Sequence, residues 1–130
     1  MQNVEISARV IAAILHKLME VGLQETLLDD RELGLDDEQR KFAGTCFDWL
    51  ESEGIVRCKN TAHSAEGAAW IDPVLTSRGF AVLGTKLEYD GDTMTVAEFV
   101  ETKRESGGNY SAIGDFLGGA FGGLIKSMGS

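Results

Sequence analysis

Two pairs of adjacent aspartates are the residues of this chain best suited to hold a metal ion. Asp29-Asp30 and Asp36-Asp37 offer carboxylate oxygens, which hard divalent cations prefer as ligands. Acidic side chains also cap backbone amides at helix starts and complement the helix dipole there. Capping explains both pairs without a ligand, so we predict no metal site.

Other groups with reactive chemistry are few. His16 could act as a base, but no second group at a useful spacing accompanies it, and we interpret it as structural or solvated. Cys46 falls on an apolar helix face and suits a buried role. The chain has no Cys-x-x-Cys, His-Glu-x-x-His, nucleophile elbow or phosphate loop. We predict a non-enzymatic protein with no catalytic residue, no cofactor and no small-molecule substrate.

Net charge is the strongest compositional feature. The 130 residues carry 21 acids against 12 bases, a formal charge of −9, with 43% hydrophobic and 25% charged residues. Such a composition is typical of a globular protein. DNA binding draws much of its affinity from cations against phosphates, so an acidic chain starts at a disadvantage. The N-terminus has neither a basic segment nor an apolar run typical of a signal peptide, which favours a cytoplasmic location.

Three helices are predicted first along the chain. Residues 4–22 carry an apolar stripe at helical spacing, and a short second helix is predicted over 25–33. A third helix begins at Asp36, whose side chain can form a capping box with Gln39, and Gly54 stops it. Its apolar arc contains Phe42, Cys46, Trp49 and Leu50. Its opposite face mixes Arg40 and Lys41 with Asp48 and Glu51 and is close to neutral.

A two-stranded ribbon and a closing helix are predicted next. Ile55-Val56-Arg57 reads as one strand and Ala69-Trp70-Ile71 as its partner, with a polar loop over 58–67 between them. Thr76 opens a short helix that runs to Leu83.

The segment Trp-Leu-Glu-Ser-Glu-Gly-Ile-Val-Arg at 49–57, followed by a polar loop, a strand and Leu-Thr-Ser-Arg-Gly-Phe-Ala-Val-Leu at 75–83, resembles the winged-helix superfamily. The resemblance covers about residues 7–84. It implies an α+β, mostly helical fold, with three helices and a two-stranded β-wing forming a domain over 1–84. It also implies a DNA-binding ancestry.

The resemblance makes the start of the third helix and the wing the candidate contact region. Arg and Gln near the start of a recognition helix can read bases, but Asp36, Asp37 and Glu38 stand beside them and repel phosphate. The candidate nucleic-acid or partner contacts are Gln39, Arg40, Lys41, Arg57, Lys59 and His63.

The chain continues with a helical extension over 85–106. Asp90-Gly91 signals a turn, and Thr95 with Glu98 can form a capping box for a short helix that ends at about Glu105.

A Gly-rich tail over 107–130 contains eight of the sixteen glycines. Five glycines inside its predicted helix would cost roughly 5 kcal/mol relative to alanine, so such a helix needs support from a docking surface, a second copy or a membrane interface. The proposed docking face comprises Ile113, Phe116, Leu117, Phe121, Leu124, Ile125 and the small-residue row Gly114, Gly118 and Gly122.

Three functions remain open from the sequence. The first is a regulatory module that acts through protein–protein contacts, with the tail as a docking or self-association element. The second is a DNA-binding transcriptional regulator. The third is a membrane-active or membrane-tethered protein that acts through residues 111–128, although its uncharged run is too short to span a bilayer.

Overall fold

The first helix lies at the centre of the core, as its apolar stripe predicts. In the computed structural model, which describes residues 2–64, 67–89 and 91–105, α1 spans Gln2–Val21. Gly22 ends it in the left-handed conformation, with φ of 68°. Its fully buried side chains are Val10, Ile14, Leu15 and Leu18. α1 contacts α3 (Ala43–Ser52), β5 (Val74–Leu75) and α5 (Val96–Glu105), and its buried side chains belong to the same core cluster as theirs.

The predicted helix over 25–33 is wrong. The chain forms β1 (Leu27–Asp29) and then a 3₁₀ helix (Asp30–Leu33) that Gly34 ends. Leu28 lies opposite Trp70 across the strand pair and is buried, whereas Leu27 points to solvent. Pairing with a distant strand therefore overrides the local helical pattern, because it supplies backbone hydrogen bonds and buries Leu28 at the same time.

The third predicted helix exists as two shorter helices. Asp36 caps α2 (Asp37–Arg40) through the predicted capping box with Gln39. After a turn, α3 continues from Ala43 to Ser52. Trp49 was predicted to lie on the buried face, and that prediction is wrong, because its side chain is 39% exposed. Phe47 takes the buried aromatic position and stacks on Trp70 with ring centroids 4.7 Å apart.

The strand pairing also differs from the predicted two-stranded ribbon. β3 (Asn60–Ser64) arises within the predicted polar loop and pairs with β4 (Gly67–Ile71), and β4 pairs on its other side with β1. This gives a three-stranded antiparallel sheet of order β1-β4-β3. β2 (Val56–Arg57) pairs with β5 instead. β3 and β4 are adjacent in sequence, so their pairing closes a much shorter loop than the predicted one.

The remaining elements follow the sequence signals. Thr76 caps α4 (Ser77–Leu83) by accepting a hydrogen bond from the Gly79 amide. The hairpin of β6 (Lys86–Tyr89) and β7 (Asp92–Thr95) forms where the turn was predicted. Glu98 and Thr95 make the reciprocal hydrogen bonds of the capping box at the start of α5.

The architecture over the described ranges is α+β, as predicted, and about half helical rather than mostly helical. Val96, Phe99 and Val100 of α5 lie in the same core cluster as the buried side chains of α1. The predicted tail face from Ile113 to Ile125 lies outside the described residues.

Candidate functional site

A buried carboxylate holds the end of α2 against the sheet. Asp30 is only 2% exposed. Its Oδ1 accepts hydrogen bonds from Arg40 Nη2 at 3.1 Å and Arg40 Nε at 3.3 Å, and its Oδ2 accepts one from the Ala68 backbone amide at 2.9 Å. A buried carboxylate requires such partners, because leaving it uncompensated is costly. The contacts join the 3₁₀ helix, α2 and β4 into one unit.

Glycine at position 67 makes this unit possible. Its φ of 148° disfavours other residues, and a Cβ there would lie 2.5 Å from Asp30 Oδ2. The β4 backbone therefore approaches the carboxylate closely enough for the adjacent amide of Ala68 to donate to it.

A groove of about 540 Å³ opens above this unit, between α2–α3 and the β3–β4 hairpin. Its lining combines the carboxylates of Asp30, Asp37 and Asp48 with Arg40, Lys41 and His63. Gly44 forms part of the lining, and a Cβ there would come within 3.5 Å of His63 Cε1, so the hairpin packs closely on α3. We call this the α3 groove. Its charges nearly cancel, so it does not form a strongly cationic channel.

The solvent-exposed side of α3 is acidic and aromatic. Its exposed residues, which we call the α3 face, are Thr45, Asp48, Trp49, Glu51 and Ser52. The helix contains no lysine or arginine. Trp49 is partly exposed and stands in sequence between the carboxylates of Asp48 and Glu51.

The six predicted contact residues do not gather in one place. Gln39 Oε1 accepts the Asp36 amide hydrogen bond, and the Arg40 guanidinium is bound to Asp30. Lys41 and His63 line the α3 groove. Arg57 and Lys59 line a different groove, described next.

The second groove has a volume of about 350 Å³ and lies at the end of the three-stranded sheet. Arg57, Cys58 and Lys59 line one part of it, and Leu23 and Asp72 line another. Asp72 is fixed by mutual hydrogen bonds with Thr26, at 2.9 and 2.7 Å. Leu27 and Ile71 lie directly opposite each other on the adjacent outward face of the sheet.

The remaining reactive groups have structural partners. His16 Nδ1 lies 3.1 Å from Glu20 Oε1 on α1. Burial raises the pKa of the Cys46 thiol to about 11, and burial is also the main cause that raises the pKa of Cys58. Raised pKa values keep both thiols protonated and weakly nucleophilic at neutral pH. In the part of the chain that the structure describes, no three His, Cys, Asp or Glu residues are placed to hold a metal ion.

Sequence reasoning missed three sets of residues here. Asp30 was grouped with Asp29 as a capping acid, although only Asp29 caps the 3₁₀ helix. Trp49 was assigned to the core. Leu27 was predicted to face the core together with Leu28 and Leu33, and that prediction is wrong, because Leu27 is exposed. Leu23 and Ile71 were not singled out.

Comparison of the chain with protein-family models, with curated proteins and with solved structures gives no match. None of the helices in the described ranges has the length and apolar character needed to cross a membrane. The class of protein is therefore defined by its own architecture, an α+β unit in which an acidic helix face and a mixed-charge groove lie beside a β-hairpin.

Proposed function

We propose that this protein is a non-enzymatic winged-helix module that acts through protein–protein contacts made by the α3 face. The observation that carries the proposal is the exposed side of α3, where Trp49 stands with Asp48 and Glu51 and the helix contains no cation. The partner fitted to this surface is a basic segment with an apolar side.

The order of elements supports the winged-helix assignment. Three α-helices, with a 3₁₀ helix after the first, precede the β3–β4 hairpin, and α3 lies beside that hairpin, as a recognition helix lies next to a wing. The sheet order β1-β4-β3 places a short strand from between the first two helices beside the hairpin. The assignment rests on this topology together with the sequence resemblance.

The charges favour a protein partner over DNA. A DNA-reading helix needs free cations or amides near its start, and the Arg40 guanidinium makes hydrogen bonds to buried Asp30. Lys41 stands near Asp37 and Asp48 in the groove lining, so its attraction for phosphate is offset. The same acids that repel phosphate would attract a basic protein segment and speed its association.

A pair of labelled probes tests the proposal on the full chain. The first is an amphipathic peptide of about 18 residues with leucine on one face and lysine on the other, and the second is a duplex DNA of mixed sequence. We expect the peptide to bind at low salt, with fluorescence anisotropy as the readout, and the DNA to bind more weakly.

Matched variants localise the binding. Trp49→Ser and Asp48→Lys should each weaken peptide binding by roughly tenfold, as for residues of an interface centre. Phe80→Ser and Glu88→Lys alter an exposed aromatic and an exposed acid elsewhere, and should leave binding unchanged. Tight, salt-sensitive DNA binding that is lost on Lys41→Glu would overturn the proposal in favour of a DNA-binding regulator.

A further inference from the structure

We propose that the outer edge of β3 is an interface between two copies of this chain, which pair there as antiparallel strands about a two-fold axis. The residues of this edge, which we call the β3 edge, are Asn60–Ser64. This interface goes beyond the function proposed above and is independent of it, because the β3 edge contains no residue of the α3 face.

The β3 edge lacks the features that normally keep a sheet edge from pairing with another chain. Natural edge strands are short, or carry charges, proline or a bulge. Of the six edge strands in the described ranges, β3 is the longest, with five residues. Its sequence, Asn-Thr-Ala-His-Ser, has no lysine, arginine, acid or proline, and its register with β4 is regular from end to end.

The other edge strands of the described sheets have such features. β1 has three residues and ends in Asp29, β6 contains Lys86 and Glu88, and β7 contains Asp92. β2 and β5 have two residues each. Among these strands, β3 therefore forms the one edge that is both long and uncharged.

The hydrogen bonds around β3 show which backbone groups point to this edge. In an antiparallel pair, alternate residues exchange hydrogen bonds with the partner strand, and the residues between them direct their N–H and C=O groups to the other side. Ala68 lies opposite His63, and its amide donates to Asp30 rather than to β3. The Thr61 amide donates to the Asn60 side chain at 2.9 Å. Thr61 and His63 therefore direct their backbone groups away from β4, towards solvent.

These backbone groups match those of a second copy. With Thr61 opposite His63 of the second copy, and His63 opposite its Thr61, each pair can exchange both of its N–H···O bonds. The two-fold axis then passes beside Ala62, which faces Ala62 of the second copy in a non-hydrogen-bonded pair, where side chains come closest. Alanine is small enough for this position. Asn60 is exposed, so its side-chain oxygen can bind water when the Thr61 amide changes partner.

The charge distribution favours a second copy at this edge. Each chain carries a charge of −9, but no acid lies between Gly54 and Ser64, so the paired strands bring none of their own carboxylates together. A strand from a different protein would be selected by charged or bulky side chains along the edge. The β3 edge presents small and neutral ones, which suit a copy of itself.

The pairing gives a closed dimer of limited strength. It uses the same edge of both copies and joins their two three-stranded sheets into one. Growth stops there, because the edges that remain are the short β1 strands that end in Asp29. Five residues from each copy bury less area than a standard interface, so we expect a dimer that dissociates on dilution.

Sedimentation equilibrium of the full chain at concentrations up to about 1 mM tests the inference. We expect the mean mass to rise from monomer towards dimer with concentration, and more steeply at high salt, because added ions screen the net charge. Ala62→Lys should raise the dissociation constant by roughly tenfold or more, since it places two cations against each other at the axis. Thr93→Lys makes the same change of charge at an exposed residue of β7 and should leave the dissociation constant unchanged.

A second pair of variants tests the backbone pairing itself. His63→Pro removes an amide that points to the free edge, and proline is tolerated in an edge strand at such a position. The dimer should therefore be lost while the fold, followed by thermal unfolding, persists. His63→Ala keeps the amide and should keep the dimer. Equal loss in both variants would assign the effect to the imidazole and contradict the backbone pairing.

A disulfide reports the register. In a Cys58→Ser background, Ala62→Cys places two thiols across the axis in a non-hydrogen-bonded pair, whose Cα separation of about 4.5 Å lies within the range of disulfides. Mild oxidation with diamide should link this variant into dimers. Asn60→Cys lies on the same face of β3 but away from the axis, and should link far less.

Three results would overturn the proposal. A natural chain that stays monomeric at every concentration and salt would leave the edge to an extended segment of another protein. A dimer that survives Ala62→Lys but is lost in Phe116→Ser with Phe121→Ser would be assigned to the C-terminal segment. Equal cross-linking of Ala62→Cys and Asn60→Cys would show random collision. Trp49→Ser should dimerise like the natural chain, so failure here and failure of the α3-face proposal are distinguishable.

Discussion

The α3 face and the outward face of the three-stranded sheet, where Leu27 and Ile71 lie exposed, differ in what supports them. Behind the α3 face, the Phe47 ring stacks on Trp70, and Arg40 binds buried Asp30 where the chain enters the helix. At the edge of the sheet, Leu27 belongs to a strand of only three residues, and two hydrogen bonds between Asp72 and Thr26 continue the pairing beyond it.

This difference follows from which side of β4 faces the helices. Along that strand, Ala68 and Trp70 point inward and are buried, while Ile71 points outward and is exposed. Apolar type alone therefore does not assign a residue to the core. We expect the inward residues of β4 to contribute most to stability and the outward Ile71 to contribute little.

The largest expected difference in stability is between substitutions of Trp70 and Ile71, two neighbouring residues of β4 that lie on opposite faces of the sheet. Trp70→Ala should lower the free energy of unfolding by about 4 kcal/mol, because it removes a fully buried ring and leaves a cavity beneath Phe47. Ile71→Ala should lower it by less than about 1 kcal/mol, because the side chain is partly in solvent already. Urea denaturation at equilibrium measures both values.

Trp70→Phe is the matched control for the cavity. The indole Nε1 of Trp70 is buried and makes no hydrogen bond in the described structure, so its removal loses no hydrogen bond. Phenylalanine should therefore retain much of the stability that alanine loses. Equal costs for Trp70→Ala and Ile71→Ala would show that the two faces of the sheet do not differ as we infer.

The next largest effect should come from the buried ion pair. Asp30→Ala leaves the Arg40 guanidinium and the Ala68 amide without their carboxylate, and we expect a loss of about 3 kcal/mol. Adding Arg40→Met to that variant should cost less than the sum of the two single changes, because the cation is no longer stranded. Urea denaturation of the four proteins measures the coupling, and additive losses would contradict the arrangement.

Local signals in the sequence predicted much of the fold. The apolar stripe of the first helix, the capping boxes at Asp36 and Thr95 and the N-cap at Thr76 each depend on residues within a few positions of one another. Such contacts are readable from spacing alone. The turn signal before Gly91 is of the same kind, and the β6–β7 hairpin forms there.

The errors lie where a residue's partner is far along the chain. The helix predicted over 25–33 is wrong because Leu28 pairs with Trp70, 42 positions later in the chain. No local sequence pattern gives that strand register. Trp49 was predicted to be buried but is partly exposed, whereas Phe47, which lies at the margin of the predicted apolar arc, is fully buried and stacks on the distant Trp70. For the candidate site, the sequence did not predict that Asp30 binds Arg40 or that the other cations lie in two grooves.

The smallest predicted effect contrasts the adjacent acids Asp29 and Asp30. Asp29 lies at the surface, where its carboxylate accepts hydrogen bonds from Arg31 Nε, Nη2 and the backbone amide, each at 2.9 Å. The hydrogen bonds from the Arg31 side chain, followed by that from its backbone amide, hold the pKa of Asp29 well below its usual value of 3.8. Asp29→Asn should therefore be less stable than the natural chain at neutral pH, by a small amount because the pair is exposed and screened.

The sign of its pH dependence follows from the lowered pKa. The unfolded chain takes up a proton at Asp29 at a higher pH than the folded chain does, so the stabilisation is fully present above the usual pKa of 3.8 and is lost as pH falls below it. We expect the stability difference between the natural chain and Asp29→Asn to be constant from neutral pH to about pH 5, and to shrink towards about pH 2. Denaturation curves of the two proteins across this range, at low and high salt, measure it. A difference that stays constant to the lowest pH would show that Asp29 stabilises the 3₁₀ helix through hydrogen bonds that do not need its charge. Of the two adjacent acids, only Asp30 would then stabilise the fold through its charge.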